Sequence, residues 1–224
     1  MIETLSIVRK VRDSFNKPEP GRSENIILPP LMMDDDFIHR DMSVRELYKK
    51  GWEKRKRKKQ LNEVVLHGTA GGITTDSMLK WMAGGERARE YNRGIGLFHY
   101  LVGREGEVVE VIDPDYWVYH SGSGWHDKCT VGIELINPSK LNDMPYTAKQ
   151  YEALEKLIFG VLLAKYDISK ITSHRYNSII YRRRYHKRCP GIGFEWPEID
   201  EMLSARGLNF KTDGHLRYAI GVWV

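Results

Sequence analysis

Apolar positions along the chain follow two periods, and the switch between them marks the elements. "EVVLHGTAGG" (63–72) is an apolar run entering a Gly-rich turn and predicts a buried strand. "GIGLFHYLVG" (94–103) and "EGEVVEVI" (105–112) have the β-branched and aromatic make-up of two strands joined at Arg104-Glu105-Gly106. "TVGIELIN" (130–137) predicts another strand, with the carboxylate Glu134 in its middle, and "KITSH" a shorter one ending at His174. Thr75 to Asn92 reads as a helix with Met78, Leu79 and Met82 along one stripe. The clearest helix starts at Thr147, which has capping-box spacing to Gln150. It then carries Tyr151, Leu154, Leu157, Ile158, Val161 and Leu162 at helical intervals. A short helix over 198–205 follows Trp196-Pro197. Strands and helices alternate without the regular rhythm of a doubly wound fold. The expected fold is therefore α/β, a single domain with a central mixed β-sheet flanked by helices, plus an N-terminal extension.

Outside this region the pattern fades. Residues 1–42 mix charges with Pro18, Pro20, Pro29 and Pro30 and hold no sustained period, as in an arm that wraps or wanders. Ser43 and Glu46 have capping-box spacing, and a helix is expected to run from there into "EKRKRKKQ". Its six consecutive cations, Lys54 to Lys59, suit the C-terminal end of a helix dipole, and serve either as a solvated face or as a patch for an anionic surface. The expected division is 1–60 as an extension with a basic helix, 61–205 as the domain, and 206–224 as a tail. In that tail "HLRYAIGVWV" adds an edge strand or docks.

Lys and Arg number 35 against 30 acidic residues, a net charge of +5 that mildly favours polyanionic partners. The N-terminal "MIETLSIVRKVRDSFNKPEPG" is broken by charges before any apolar stretch of signal-peptide length, and no segment approaches a membrane span. A chain made in the cytosol, monomeric and without a membrane span, is expected. Two cysteines, Cys129 and Cys189, are too few for a disulfide scaffold, which favours metal binding or packing over a bridge.

His67, His174 and Cys189 all fall at predicted strand ends or in the loops after them. Two imidazoles and a thiolate are suitable zinc donors, and three protein ligands leave a fourth tetrahedral position for water or substrate, as in a catalytic site. Spacing alone does not select them: His67 and His174 lie more than a hundred residues apart, and eight histidines allow many triads.

The ordered blocks "VVLHGTAGG", "FHYLVGREGEVVEV", "VYHSGSG", "VGIELIN" and "ITSHRYN...YHKRCPG" resemble, over about Leu61 to Ile199, the zinc-dependent N-acetylmuramoyl-L-alanine amidases of the amidase-2 type. That family includes phage lysis amidases and peptidoglycan recognition proteins. The resemblance implies Zn2+ on His67, His174 and Cys189, with His186 as the lower-ranked rival for the late histidine. It implies Glu134 as the base that takes a proton from water, and Lys187 as donor to the oxyanion. It also places Thr69 and His120 at the substrate cleft, His120 orienting either substrate or a metal ligand. Where lysis amidases commonly carry a catalytic tyrosine this chain has Phe98, which cannot donate a hydrogen bond. Trp117 and Trp125 offer flat faces for sugar or peptide, or pack in the core.

The implied function is cleavage of the bond between N-acetylmuramic acid and L-alanine in peptidoglycan, for phage-induced lysis from the host cytoplasm. A cytosolic muropeptide-recycling amidase and a non-catalytic peptidoglycan-binding module are the alternatives. A nucleic-acid partner is not expected.

Overall fold

The computed structural model describes residues 37–40, 53–84, 98–181 and 188–213. Within them one seven-stranded sheet runs in the order β1-β4-β3-β5-β2-β6-β7. Its strands are β1 (Ile38–Arg40), β2 (Glu63–Gly68), β3 (Tyr100–Val102), β4 (Val108–Glu110), β5 (Thr130–Leu135), β6 (Lys170–Ser173) and β7 (Lys211–Thr212). The β3–β4 pair is antiparallel and every other neighbour is parallel, so the expected mixed sheet is present. The β3–β4 connection falls where Arg104-Glu105-Gly106 predicts it, with Gly106 at φ +89° donating to the Gly103 carbonyl.

Helices cover both faces, because each strand sends alternate residues to opposite sides. Val64, Leu66, Val131, Ile133 and Leu135 face the long helix that begins with α2 (Ala148–Glu155). Leu101, Val109 and Ile136 pack instead with Met78, Leu79 and Met82 of α1 (Thr75–Gly84). Thr147 and Gln150 form the expected capping box. Beyond α2 the same helix continues as a π-helical stretch, Lys156–Leu162, and a final turn, Leu163–Lys165. Two more helices follow, α3 (His174–Tyr181) and α4 (Trp196–Ala205).

Strand β7 lies inside the expected tail, 206–224, and pairs with β6, and the structure departs from the sequence pattern in three further places. Strand β1 lies inside the expected arm and pairs with β4. Helix α3 occupies what reads as a loop after His174. It is started by Ser173, whose hydroxyl accepts from the Tyr176 amide at 2.9 Å and donates to buried Asp213. The basic segment forms only a short 3-10 turn, Glu53–Arg55, with no helix over 56–60. Six adjacent cations repel one another on a helix, whereas here Arg57 finds acceptors. Its guanidinium donates to the carbonyls of Pro114 (2.8 Å), Asp127 (3.1 Å), Tyr116 (3.2 Å) and Thr130 (3.0 Å), and Lys56 bridges to Tyr116. Burial pulls the Arg57 pKa down to about 10, leaving it charged at neutral pH. The Ser43 cap and the "HLRYAIGVWV" tail lie outside the described residues.

Arg57→Ala leaves four carbonyls short of a charged donor and should cost about 3 kcal/mol, whereas Lys56→Ala, at an exposed site, should stay within about 0.5 kcal/mol. Urea unfolding followed by tryptophan fluorescence checks this, and equal losses would mean that Arg57 does not anchor the segment.

Candidate metal centre

Strands β2, β5 and β6 are adjacent and parallel, so their carboxyl ends meet at one edge of the sheet, the usual place for a site in such sheets. His67 stands next to last in β2 and is paired in register with Glu134 of β5. Val64 and Leu66 point into the core below α2, so the period of two sends His67 to the opposite face, and Glu134 with it. His174 follows β6 directly as the first residue of α3.

The ligand atoms of His67, His174 and Cys189 lie within 4.8 Å of one another. The two Nδ1 atoms are 3.1 Å apart, and Glu134 Oε2 is 3.7 Å from His67 Nδ1. A tetrahedral zinc with its usual bond lengths needs nitrogens about 3.3 Å apart and sulfur about 3.6 Å from each. The donor set is the right one for zinc, and the spacing requires shifts of well under an ångström for the imidazoles. Among the described residues this is the one group of three or more His, Cys, Asp or Glu side chains able to hold a metal ion.

Behind the donors lies a directional hydrogen-bond chain. His67 Nε2 is 3.1 Å from His120 Nδ1, and His120 Nε2 is 3.0 Å from the hydroxyl of Thr130, which reaches the His126 carbonyl at 3.2 Å. Burial, reinforced by the neighbouring histidines, holds the His120 pKa well below its ordinary value, so its ring is neutral. With Nδ1 of His67 turned to a metal, its Nε2–H donates to His120, whose own Nε2–H donates to Thr130. Such an outer bond fixes the tautomer and orientation of a ligand. Both ring nitrogens of His120 are thus occupied within the protein, which favours a ligand-orienting role over contact with substrate.

The other histidines separate clearly. His99 accepts from the Gly132 amide at Nδ1 and donates from Nε2 to the Tyr116 carbonyl, each at 2.9 Å, and burial lowers its pKa to about 3. His126 is buried against Glu63 at 2.9 Å, far down β2 from His67. His39 is exposed on β1. His186, His215 and the expected catalytic Lys187 lie outside the described residues.

Thr69 bonds with its hydroxyl to the Gly71 carbonyl and the Asn137 amide, and so braces the turn after β2 instead of offering a free hydroxyl to substrate. Phe98 is buried with Met78 and Leu79 and has no hydroxyl to contribute. Trp125 is 63% exposed beneath Lys59, while Trp117 packs edge-on to Tyr119 under Arg55. Sequence reasoning misses the frame of Cys189. Its sulfur accepts from the Gly68 amide at 3.1 Å and its carbonyl from the Arg175 amide at 2.9 Å, which joins it to the residues after both histidines.

Residues 57–192 match the family model described as N-acetylmuramoyl-L-alanine amidase, Amidase_2. The chain belongs to that family. Among solved structures it is similar to AmpD, with 20% identity, a TM-score of 0.57, and coverage of 77% of this chain and 99% of AmpD. An endolysin from the Thermus scotoductus bacteriophage Ph2119 gives 19% identity, a TM-score of 0.52, and the same 77% and 99% coverage. Drosophila peptidoglycan recognition protein SA gives 14%, 0.51, and 77% and 92%. At these identities the likeness is one of fold, and it agrees with the mixed sheet described above. No curated protein matches the sequence. Among the described residues no helix is long and apolar enough to cross a membrane.

Burial raises the Glu134 pKa to about 8 in the metal-free protein. The unfolded chain releases this proton near pH 4, whereas the folded chain holds it to about 8, so folding loses stability as pH rises through that window. In excess chelator Glu134→Gln should therefore be the more stable form at pH 7.5, by about 3 kcal/mol, with the gap shrinking below pH 5. Thermal unfolding across pH measures the gap, and a constant difference would contradict a buried, protonated Glu134.

Proposed function

We propose that the chain is a zinc-dependent N-acetylmuramoyl-L-alanine amidase that hydrolyses the amide between the lactyl group of N-acetylmuramic acid and the first L-alanine of the stem peptide. The observation that carries this reading is the convergence of His67, His174 and Cys189 on one point, with the Glu134 carboxyl beside it. When bound there, zinc supplies a Lewis acid that polarises a carbonyl and makes water more acidic.

The chain's own groups supply the rest. Glu134 lies 3.7 Å from His67 Nδ1, and a cation bound there would lower its raised pKa and leave a carboxylate that can take a proton from attacking water and return it to the departing amine. Lys187, two residues before Cys189, would donate to the carbonyl oxygen as it gains negative charge. His120 and Thr130 would hold the His67 ring so that Nδ1 serves as the metal donor. Phe98 leaves no tyrosine for the proton-handling role, which falls to Glu134.

Two features favour an enzyme over a binding module. All three ligand types are retained, and among the described residues the one ion-pair partner of the buried Glu134 carboxyl is His67 itself, at 3.7 Å. Similarity to a phage endolysin supports a role in host lysis, and a muropeptide-recycling amidase is the other enzymatic reading.

Mass spectrometry of digested sacculi tests the bond broken: stem peptides with a free L-alanine amine and intact glycan strands are expected. Glycosidic fragments, or binding without release, would reject the reading. Glu134→Gln should lose at least a hundredfold in turnover at unchanged zinc content, whereas Cys189→Ser should lose zinc affinity itself.

A further inference from the structure

The loop between β5 and α2 carries no group used in the chemistry above, yet it touches two of the three segments that bear donors, the turn after His67 and the turn after Cys189. Asn142 is buried, at 4% exposure, in the left-handed region at φ +54°. Its carboxamide spans the turn after His67: Oδ1 accepts from the Ala70 amide at 2.8 Å and Nδ2 donates to the Gly68 carbonyl at 3.2 Å. Its own carbonyl accepts from the Gly193 amide at 3.2 Å, just past the Cys-Pro-Gly turn. A Cβ at Gly191, which has φ +100°, would collide with that same carbonyl. At the far end of the loop the hydroxyl of buried Tyr146 donates to the Pro190 carbonyl at 2.8 Å, and it lies so close to Gly68 that any side chain there would overlap it.

We propose that Asn142, assisted by Tyr146, is a positioning residue for the sulfur donor: it clips the Cys189-Pro190-Gly191 turn to the end of β2 and keeps sulfur beside His67 before any metal arrives. This rests on the reading that His67, His174 and Cys189 hold the ion. The chemistry of the site requires such a clip. Cys189 is on neither a strand nor a helix and is separated from His67 by 121 residues. The Gly68 amide reaches the sulfur only if the turn is held, and a loop free to move would have to be ordered at the cost of metal affinity. A carboxamide suits the position because it must accept from one backbone group and donate to the next, and asparagine tolerates φ > 0 better than other side chains do. Aspartate accepts at Ala70 but sets an anion against the Gly68 carbonyl. Glycine keeps the backbone conformation and loses both bonds.

The test uses the full chain stripped with chelator, in its original form and as Asn142→Gly, Asn142→Asp and Tyr146→Phe. Zinc affinity is read by competition with a chromophoric chelator. Thiol labelling is read separately at Cys189 and Cys129 by peptide mass spectrometry, with Cys129 gauging general opening. Asn142→Gly should bind zinc about 10- to 100-fold more weakly. It should label Cys189 several-fold faster while Cys129 is unchanged. Asn142→Asp should behave alike, and Tyr146→Phe should shift both readouts the same way by less. If the Asn142 variants do not fold, Tyr146→Phe carries the test. Zinc affinity within twofold of the original, or parallel acceleration at both cysteines, would overturn the proposal. An original chain that binds no zinc would sink the metal reading instead, while the labelling arm would still judge the clip.

Discussion

Strand β2 lies between β5 and β6 and runs parallel to both, and this pairing decides where the chemistry can be. Register sets His67 beside Glu134, and the alternation that buries Val64, Leu66, Ile133 and Leu135 under α2 turns both polar side chains to the other face. A slip of one residue would drive the imidazole into the core and a leucine into the site. The hydrophobic demand of the core therefore fixes the orientation of these two side chains, without any contact between them being needed to choose it.

Polar groups on that face are costly to bury, and the structure offsets the cost by chaining them. Thr130, His120 and His67 form one line of hydrogen bonds, and Glu63, His126 and Thr172 form another lower in the same sheet. His99 and Arg57 tie the loop around residues 113–130 to the sheet from outside. The site is thus supported mostly from behind, with the neutral rings of His120 and His99 held by fixed donors and acceptors. Glu134 is the exception, a carboxyl whose pKa burial pushes up to about 8.

Much of this was legible in the sequence, for physical reasons. Short β-branched runs gave β2, β4, β5 and β6, and the spacing of Thr147 and Gln150 gave the cap of α2, whereas His67, His174 and Cys189 were singled out by the resemblance of ordered motifs and not by spacing. Other features depend on contacts that no local pattern encodes. Helix α3 begins because Ser173 caps it and Asp213, forty residues on, holds Ser173. Arg57 leaves its charged run for carbonyls more than fifty residues away. Asn142 looks like any loop asparagine until its partners at Gly68, Ala70 and Gly193 are seen. Its one local signal is its residue type, since asparagine is the usual non-glycine occupant of the left-handed region.

The central claim is that two imidazoles from strand ends and one sulfur from a distant turn share a single metal ion. X-ray absorption fine structure of the zinc-loaded protein measures that directly. One sulfur at about 2.3 Å with two imidazole nitrogens and one lighter atom at about 2.0–2.1 Å is the expected shell. A shell without sulfur, or one with more than a single sulfur, would contradict it.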